Sequence, residues 1–439
     1  MKTGSTWGLL GPDRVPSNRR TRTLGLGRAV RRFNELAVPG LGGVWYGRQV
    51  LYNVLAMAVV ERLKVWNVNQ THIQVANAIE AVACSVGYRT NKWSEDWRMR
   101  GRNKLSRDGT APTFQRASQS RYYVSQPMRM STAQALPSLG LATSDSARFS
   151  GFRRGVDADA FLESSIGHIT VGQNDLIDHL CYWVRGSELS WKSEGFVEAL
   201  NPLRALDKDA RSQLRSALLQ GASLDDQGRE RRRAAWQWVG RLHNKPTSFE
   251  SLANSIGPEE LDAQHWQDLR AGAKLIEVRD AAVAVLDAVE RDLESRKRRS
   301  MSMDEPLRGE VKQALHVLAA IAAAFLSLKH HDEDANRFCS ACVAADASVL
   351  RVLLQRDDQV LCLVDDCARP GPAYSGHPPA VEKGEQGADE DVAKTGRNGL
   401  PLPMGVSYRI ENLYLLRLDL DAKLGALIAS RKQNQAEAQ

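Results

Sequence analysis

From residue 174 to residue 329, apolar side chains return at helical spacing and most of the runs are framed by helix start and stop signals, so the expected fold is mainly α. The run 174–185 opens on Asn174 and stops before Gly186, 190–200 ends ahead of Pro202, and 207–220 ends at Gly221. Residues 225–243 form a basic helix carrying Arg229, Arg231, Arg232, Arg233 and Arg241 beside Trp236 and Trp238. Its arginines read as a solvated face opposite two packed indoles, or else as a surface for phosphate or an acidic partner. Residues 259–299 read as one long helix or two broken near Gly272, with 305–329 as the antiparallel return. Small residues in 318–325 allow close helix packing in a hairpin or bundle face, and such a face would also suit a homodimer. The longest apolar run, 314–328, contains His316 and falls short of the ~20 residues a membrane span needs, so it reads as a buried helix.

Upstream, a helix is expected from Arg28 to just before Pro39, then a glycine-rich turn over 39–47, then a long apolar-periodic segment over 50–65. The turn lacks the Lys-Ser/Thr ending of a phosphate-binding loop and follows no clear strand, so it reads as a tight connection. Residues 71–84 form an amphipathic helix with a hydroxyl at its start and Gly87 after its end.

Charge is divided unevenly. Residues 1–160 hold 24 Lys and Arg against 10 Asp and Glu, a net of +14, and the whole-chain +7 therefore leaves −7 for the remainder. Phosphate neutralisation supplies most non-specific affinity for nucleic acid, so the basic part is the part expected to meet DNA or RNA. Six cysteines at irregular spacing fit a reducing compartment, and the absence of an apolar secretory core favours the cytoplasm. The Arg-rich, acid-poor start also resembles an organellar transit peptide.

Within 89–107, Arg98, Arg100, Arg102 and Lys104 are interleaved with Trp93 and Trp97, a composition suited to backbone neutralisation with stacking, or to a solvated loop over two packed indoles. Arg121, Tyr122 and Arg129 follow. Next come a short apolar-periodic run with Ser131, Thr132 and Gln134, a Gly140 stop, and the basic sequence Arg148, Phe149, Phe152, Arg153, Arg154. This stretch, over about residues 110–166, resembles a winged helix-turn-helix domain. The resemblance implies a recognition helix over 128–141, a wing over 148–154 and a closing helix over 156–163, with DNA contacts from the residues just named. Pro137 departs from the pattern, because inside a helix it removes a hydrogen bond and kinks or ends the run.

No complete catalytic motif occurs: there is no Gly-x-Ser-x-Gly elbow, phosphate-binding loop, His-Glu-x-x-His or dinucleotide fingerprint in context. The pairs Asp225-Asp226, Asp357-Asp358 and Asp365-Asp366 read as turn residues, and 330–334, His-His-Asp-Glu-Asp, as a solvated helix end. Cys339, Cys342, Cys362 and Cys367 have the order of a four-thiolate zinc site but lie in a helix-like, alanine-rich setting, so buried free thiols are the competing reading. No other cofactor is implied. A strand is expected over 359–364, a turn over 369–372, and a helix over 406–418 that packs back or docks on a partner chain.

The expected architecture is therefore mainly α, with a winged-helix N-terminal half and a helical C-terminal half carrying a small β-hairpin. Its parts are a basic leader (1–27), a basic helical and winged-helix domain (28–167), a helical domain (168–375), a disordered linker (376–400) and a docking segment (401–439). The expected role is a non-catalytic subunit that binds duplex DNA within a larger bacterial complex of genome maintenance or phage defence, beside other protein subunits and away from membranes. The alternatives are a protein-protein adaptor without DNA contact and a metal- or redox-responsive transcription regulator.

Overall fold

A computed structural model describes residues 22–144, 148–242, 252, 256–374 and 400–437. Most of the expected leader and nearly all of the expected linker lie outside the described residues. The chain divides into two compact units, Phe33–Arg270 with Lys383–Gln439, and Met1–Arg32 with Ala271–Glu382. The boundary expected after residue 167 falls inside the larger unit, and residues 168–375 are shared between the two.

In chain order the helices are α1 (Gly27–Ala37), α2 (Gly47–Val65), α3 (His72–Thr90), α4 (Phe114–Ala117) and α5 (Arg129–Thr132). The hairpin β1 (Ala142–Ser144) and β2 (Phe152–Arg154) leads to α6 (Ala158–Ile166), and the hairpin β3 (Thr170–Val171) and β4 (Asn174–Asp175) leads to α7 (Leu176–Val184). Then come α8 (Glu194–Leu200), α9 (Lys208–Gln220), α10 (Asp226–Arg241) and α11 (Ala263–Glu294). The remainder is β5 (Met301–Ser302), α12 (Gly309–Ser327), α13 (Glu333–Ala341), α14 (Ala347–Asp357), β6 (Leu361–Val364), β7 (Cys367–Pro370), α15 (Tyr408–Leu420) and α16 (Leu424–Glu437). The fold is mainly helical.

The larger unit is built around α2, which is buried without interruption from Gly47 to Val60. A helix that is apolar all round has no solvent face to offer and becomes a core element. α3 packs on α2, and so do α5, α6, α7 and β2. Thr71 and Gln74 close a reciprocal capping box at the start of α3. Gly87 does not stop this helix but lies within it, because a Cβ there would come 2.5 Å from the Met99 sulfur and 2.8 Å from Pro202 Cγ. Its value is close packing. In the glycine-rich turn, Gly40 and Gly42 have positive φ, and a Cβ on Gly42 would stand 2.9 Å from the Ser131 carbonyl oxygen. That turn is a tight connection pressed on the 131–135 backbone.

Several expected boundaries shift by a few residues because a neighbouring acid takes the cap. Asp175, not Asn174, accepts from the Asp178 N–H to cap α7, and Asp225 caps α10 through the Gly228 N–H. Contrary to a solvated face, Arg231 and Arg232 of α10 are buried: Arg231 pairs with Asp268, and Arg232 donates to the Pro39, Ser138 and Leu218 carbonyls. The expected C-terminal docking helix packs as α15 on its own chain, with Arg417 donating to the Trp236 carbonyl and Asp419 accepting from the Gly47 N–H at 2.7 Å.

In the smaller unit, α11 is unbroken at Gly272, and its end meets the start of α12 through Arg291–Glu310 and Arg308–Asp292 ion pairs. α12 corrects the expectation of a buried helix, because its core side is the single stripe Val311, Leu315, Leu318, Ala322 and Phe325. Its other side exposes Lys312, Gln313, His316 and Val317 beside Ala320 and Ala323. Among the described residues, it is also the one helix long and apolar enough to cross a membrane. The expected turn over 369–372 is partly strand, since Leu361 pairs with Pro370 in the β6–β7 hairpin and Asp365 and Asp366 form its left-handed turn. His330 and Asp332 are buried rather than solvated, with Asp332 capping α13 and pairing with Arg32.

Candidate nucleic-acid interface

The expected recognition helix over 128–141 is not continuous. It is divided into α5, a 3-10 turn at Ala133–Ala135 and a second 3-10 turn at Pro137–Leu139, after which Gly140 takes a left-handed conformation. Pro137 lacks the N–H that a continuing helix needs, and Thr132, Ala135, Leu136, Ser138 and Leu139 are all buried. The segment is a packed piece of core.

What pins it is Glu80, fully buried in the middle of α3. Its carboxylate accepts from the Tyr123 hydroxyl, from the Met128 N–H at 2.8 Å and from the Arg129 N–H at 2.8 Å. Burial pushes its pKa up, opposed by the hydrogen bond from Tyr123. The Arg129 side chain turns to Asn77 Oδ1 at 3.0 Å. Ser131 and Thr132 donate their hydroxyls to the Met128 carbonyl, each at 2.9 Å, while Gln134 is exposed.

The basic segment 89–129 holds ten Lys or Arg against Glu95, Asp96 and Asp108. Some of that charge is consumed internally. Arg98 is buried, holds Asp96 through two N–H groups at 2.9 and 3.0 Å, and donates to the Leu203 carbonyl. Arg100 donates to the Gln126 carbonyl, and Arg102 pairs with Glu95. Lys104, Arg107, Arg116 and Arg121 are exposed. Trp97 is buried, whereas Trp93 is only half-buried, stacked on Tyr88 at 5.3 Å with the Arg107 guanidinium 5.1 Å from its ring centre. Tyr122 carries Arg116 at 5.9 Å in the same manner.

The wing expected over 148–154 holds only a 3-10 turn at Phe149–Gly151 and the strand β2, whose partner β1 lies upstream, paired Ala142 to Arg154, Thr143 to Arg153 and Ser144 to Phe152. Phe149 and Phe152 are buried in a T-shaped contact at 5.7 Å. Arg148 and Arg153 are exposed, and Arg154 is tied to Glu61 of α2 and to Asp159. Burying the two phenylalanines is worth roughly 1.5–3 kcal/mol each, whereas a half-exposed ion pair contributes about 0–1 kcal/mol, so the rings seat the hairpin. Beneath them, His72 presents its ring to Phe149 at 5.9 Å. Burial, and then Lys64, pulls its pKa down.

The candidate residues thus fall into two exposed groups rather than one patch. The hairpin lies by His72 at the first turn of α3, and the Trp93–Arg107 stack lies past Tyr88 near its last turn. At 1.5 Å per residue the two are about 24 Å apart along the helix. Glu80 and Asn77 were missed in the sequence reading; the available signal was an acid inside the apolar run 75–86.

The four cysteines considered for zinc do not converge. Cys339 and Cys342 are buried thiols pushed up to about 12 and about 11 by desolvation, while Cys362 and Cys367 sit half-buried on the β6–β7 hairpin. Among the described residues, no three His, Cys, Asp or Glu side chains are grouped to hold a metal ion. No protein-family model matches the chain, and no curated protein or solved structure matches it either.

Proposed function

We propose that the chain is a non-catalytic DNA-binding subunit of a larger assembly, gripping the sugar-phosphate backbone of a duplex through two basic groups instead of inserting a helix into a groove. The observation that carries this reading is the exposure of Arg148 and Arg153 on a hairpin seated by its own phenylalanines. Lys104, Arg107, Arg116 and Arg121 supply the second group. His72 and Tyr88, which mark the two groups, are about 24 Å apart along α3 and about 160° apart around it, so each group offers DNA its own contact surface. Contacts of this kind position a protein on DNA without reading sequence.

Fluorescence anisotropy with a labelled 25-base-pair duplex of arbitrary sequence tests the reading. The full chain is expected to bind at low salt, with little preference between sequences. Replacing Arg148 and Arg153 by Ala is expected to weaken binding at least fivefold while leaving the melting temperature unchanged. Unaltered affinity in that variant rejects the hairpin as a contact. A protein-adaptor role is favoured by one observation, the outward side of α12, where Val317 is 49% exposed among alanines.

A further inference from the structure

α6 and α9 pack side by side in the larger unit, and a cavity of about 240 Å³ opens between them beside the base of the hairpin. Its floor is apolar: Leu141, Phe161 and Leu214 are buried and line it. Gln213 of α9 accepts from the Ser164 hydroxyl of α6 at 3.0 Å, a cross-link that holds the two walls in place. The rim is open, since Ala160 and Gln220 are exposed. Water on such a floor has no polar partner, and an apolar group that displaces it gains free energy.

A single charge lies in the lining, the carboxylate of Asp157. Asp157 stands immediately before α6, where an aspartate ordinarily caps the helix, yet its side chain makes no capping hydrogen bond. Among the described residues it has no ion-pair partner, and Arg154, three residues earlier, is already matched by Glu61 and Asp159. Asp157 Oδ2 lies where a Cβ on Gly140 would collide with it, and the Asp157 N–H donates to the Gly140 carbonyl at 3.3 Å. Gly140 has a left-handed φ of 68° and no side chain, so its backbone both fixes the acid and leaves it room. Gln220 turns its amide nitrogen to the Ser216 hydroxyl at 3.1 Å, which leaves its oxygen as a second acceptor on the rim. Among the described residues no Lys or Arg lines the cavity, so an anion would meet the carboxylate with nothing to offset it.

We infer that this cavity binds a small organic cation, an apolar group of about ring size that carries a short ammonium arm to Asp157. A cavity of about 150 Å³ takes a benzene ring, so one of about 240 Å³ takes a ring with a short arm. The ring lies on Phe161 and Leu214, and the ammonium donates to the Asp157 carboxylate and the Gln220 oxygen, both of them charge-assisted hydrogen bonds. An apolar floor with a few convergent polar groups is the ordinary make-up of a small-molecule site. The inference goes beyond duplex binding and does not depend on it.

Calorimetric titration of the full chain with 2-phenylethylamine, 2-phenylethanol and phenylacetate, which share a ring and differ in the charge of the arm, tests the site. The amine should bind about fivefold more tightly than the alcohol, the gain expected for a partly exposed charge pair, and phenylacetate should bind more weakly than either. Asp157→Asn should bring the amine down to the affinity of the alcohol and leave the alcohol unchanged, which guards against a folding defect. Ala160→Leu, at an exposed helical position on the mouth, should weaken both amine and alcohol while keeping the wild-type melting temperature. Binding of none of the three probes, equal affinity for all three, or tightest binding of phenylacetate overturns the inference. An amine preference that survives Asp157→Asn, or an amine affinity that Ala160→Leu leaves intact, also overturns it, because either result places the cation elsewhere. DNA enters none of these titrations, so their failure leaves the duplex reading standing.

Discussion

Two neighbouring stretches, 123–139 and 142–154, both combine serines with arginine and aromatic side chains over short helical or extended runs, yet the structure treats them oppositely. In the first, a buried carboxylate from α3 collects the Tyr123 hydroxyl and two backbone N–H groups, and the polar side chains satisfy local carbonyls. In the second, Phe149 and Phe152 do the anchoring, so Arg148 and Arg153 remain at the surface. What decides the fate of Arg98 and Arg232 is an acid or a bare carbonyl within reach. The count of basic residues does not decide it. Arg98 and Arg232 belong to the chain's positive charge as fully as Arg153 does, but they act as cross-links within the core.

The comparison breaks most readily at Glu80. Glu80→Ala leaves a hydroxyl and two N–H groups unsatisfied and should cost about 3–5 kcal/mol, read as a large fall in denaturation midpoint. Glu80→Gln keeps an acceptor oxygen and should cost less than half as much. If Glu80→Ala melts like the wild type, the first stretch is not pinned as described. A stability loss as large in Arg148→Ala would likewise erase the contrast between the two regions.

A second test uses pH. His72, His179 and His265 are buried, and desolvation lowers the pKa of each from its ordinary 6.5. A lowered histidine binds fewer protons folded than unfolded, so its contribution is complete above pH 6.5 and is lost as pH falls through the folded value, by at most about 1.4 kcal/mol per pH unit and per residue. Glu80 and Asp419, both raised by burial, act with the opposite sign, contributing most below the ordinary carboxylate range and less as pH rises through their folded values. In urea denaturation between pH 7.5 and 5.5, the wild type should lose more stability on acidification, or gain less, than His72→Phe. The difference arises because His72→Phe removes the lowered group under the hairpin. Superimposable profiles would mean that His72 is not held neutral by its surroundings.

The smallest effect concerns the cysteines. Cys362 and Cys367 should react with a maleimide well before Cys339 and Cys342, whose thiols are buried and pushed upward. Simultaneous labelling of all four in native protein would contradict their placement.

Much of the local structure was legible from spacing alone. Thr71 with Gln74, Asp207 before α9 and Gly221 after it mark helix ends through short-range hydrogen bonds or backbone geometry. The apolar run after residue 50 announced a core helix, whereas of the β1–β2 hairpin only the second strand falls within the expected wing, 148–154. Pro137 announced the break in the neighbouring helix. The remainder depends on partners far apart in the chain. Asp419 with Gly47 and Arg48 with the carbonyls of 199, 204 and 205 close loops that no local pattern encodes. Glu80 is intermediate: an acid within an apolar run signals a buried partner, but not which one. The same reasoning explains why the net +14 of residues 1–160 overstated the available positive surface.

The most direct measurement is the dependence of duplex affinity on salt concentration, taken as the slope of log affinity against log salt for the wild type and two variants. If Arg148 and Arg153 contact phosphates, their joint replacement by Ala should reduce the slope by about 1.8, near 0.9 for each phosphate released. Replacing Gln134 and Ser131 by Ala in the packed stretch should leave the slope unchanged. Equal slopes for the wild type and the hairpin variant, or a loss confined to the Gln134 and Ser131 variant, would contradict the assignment of the two regions.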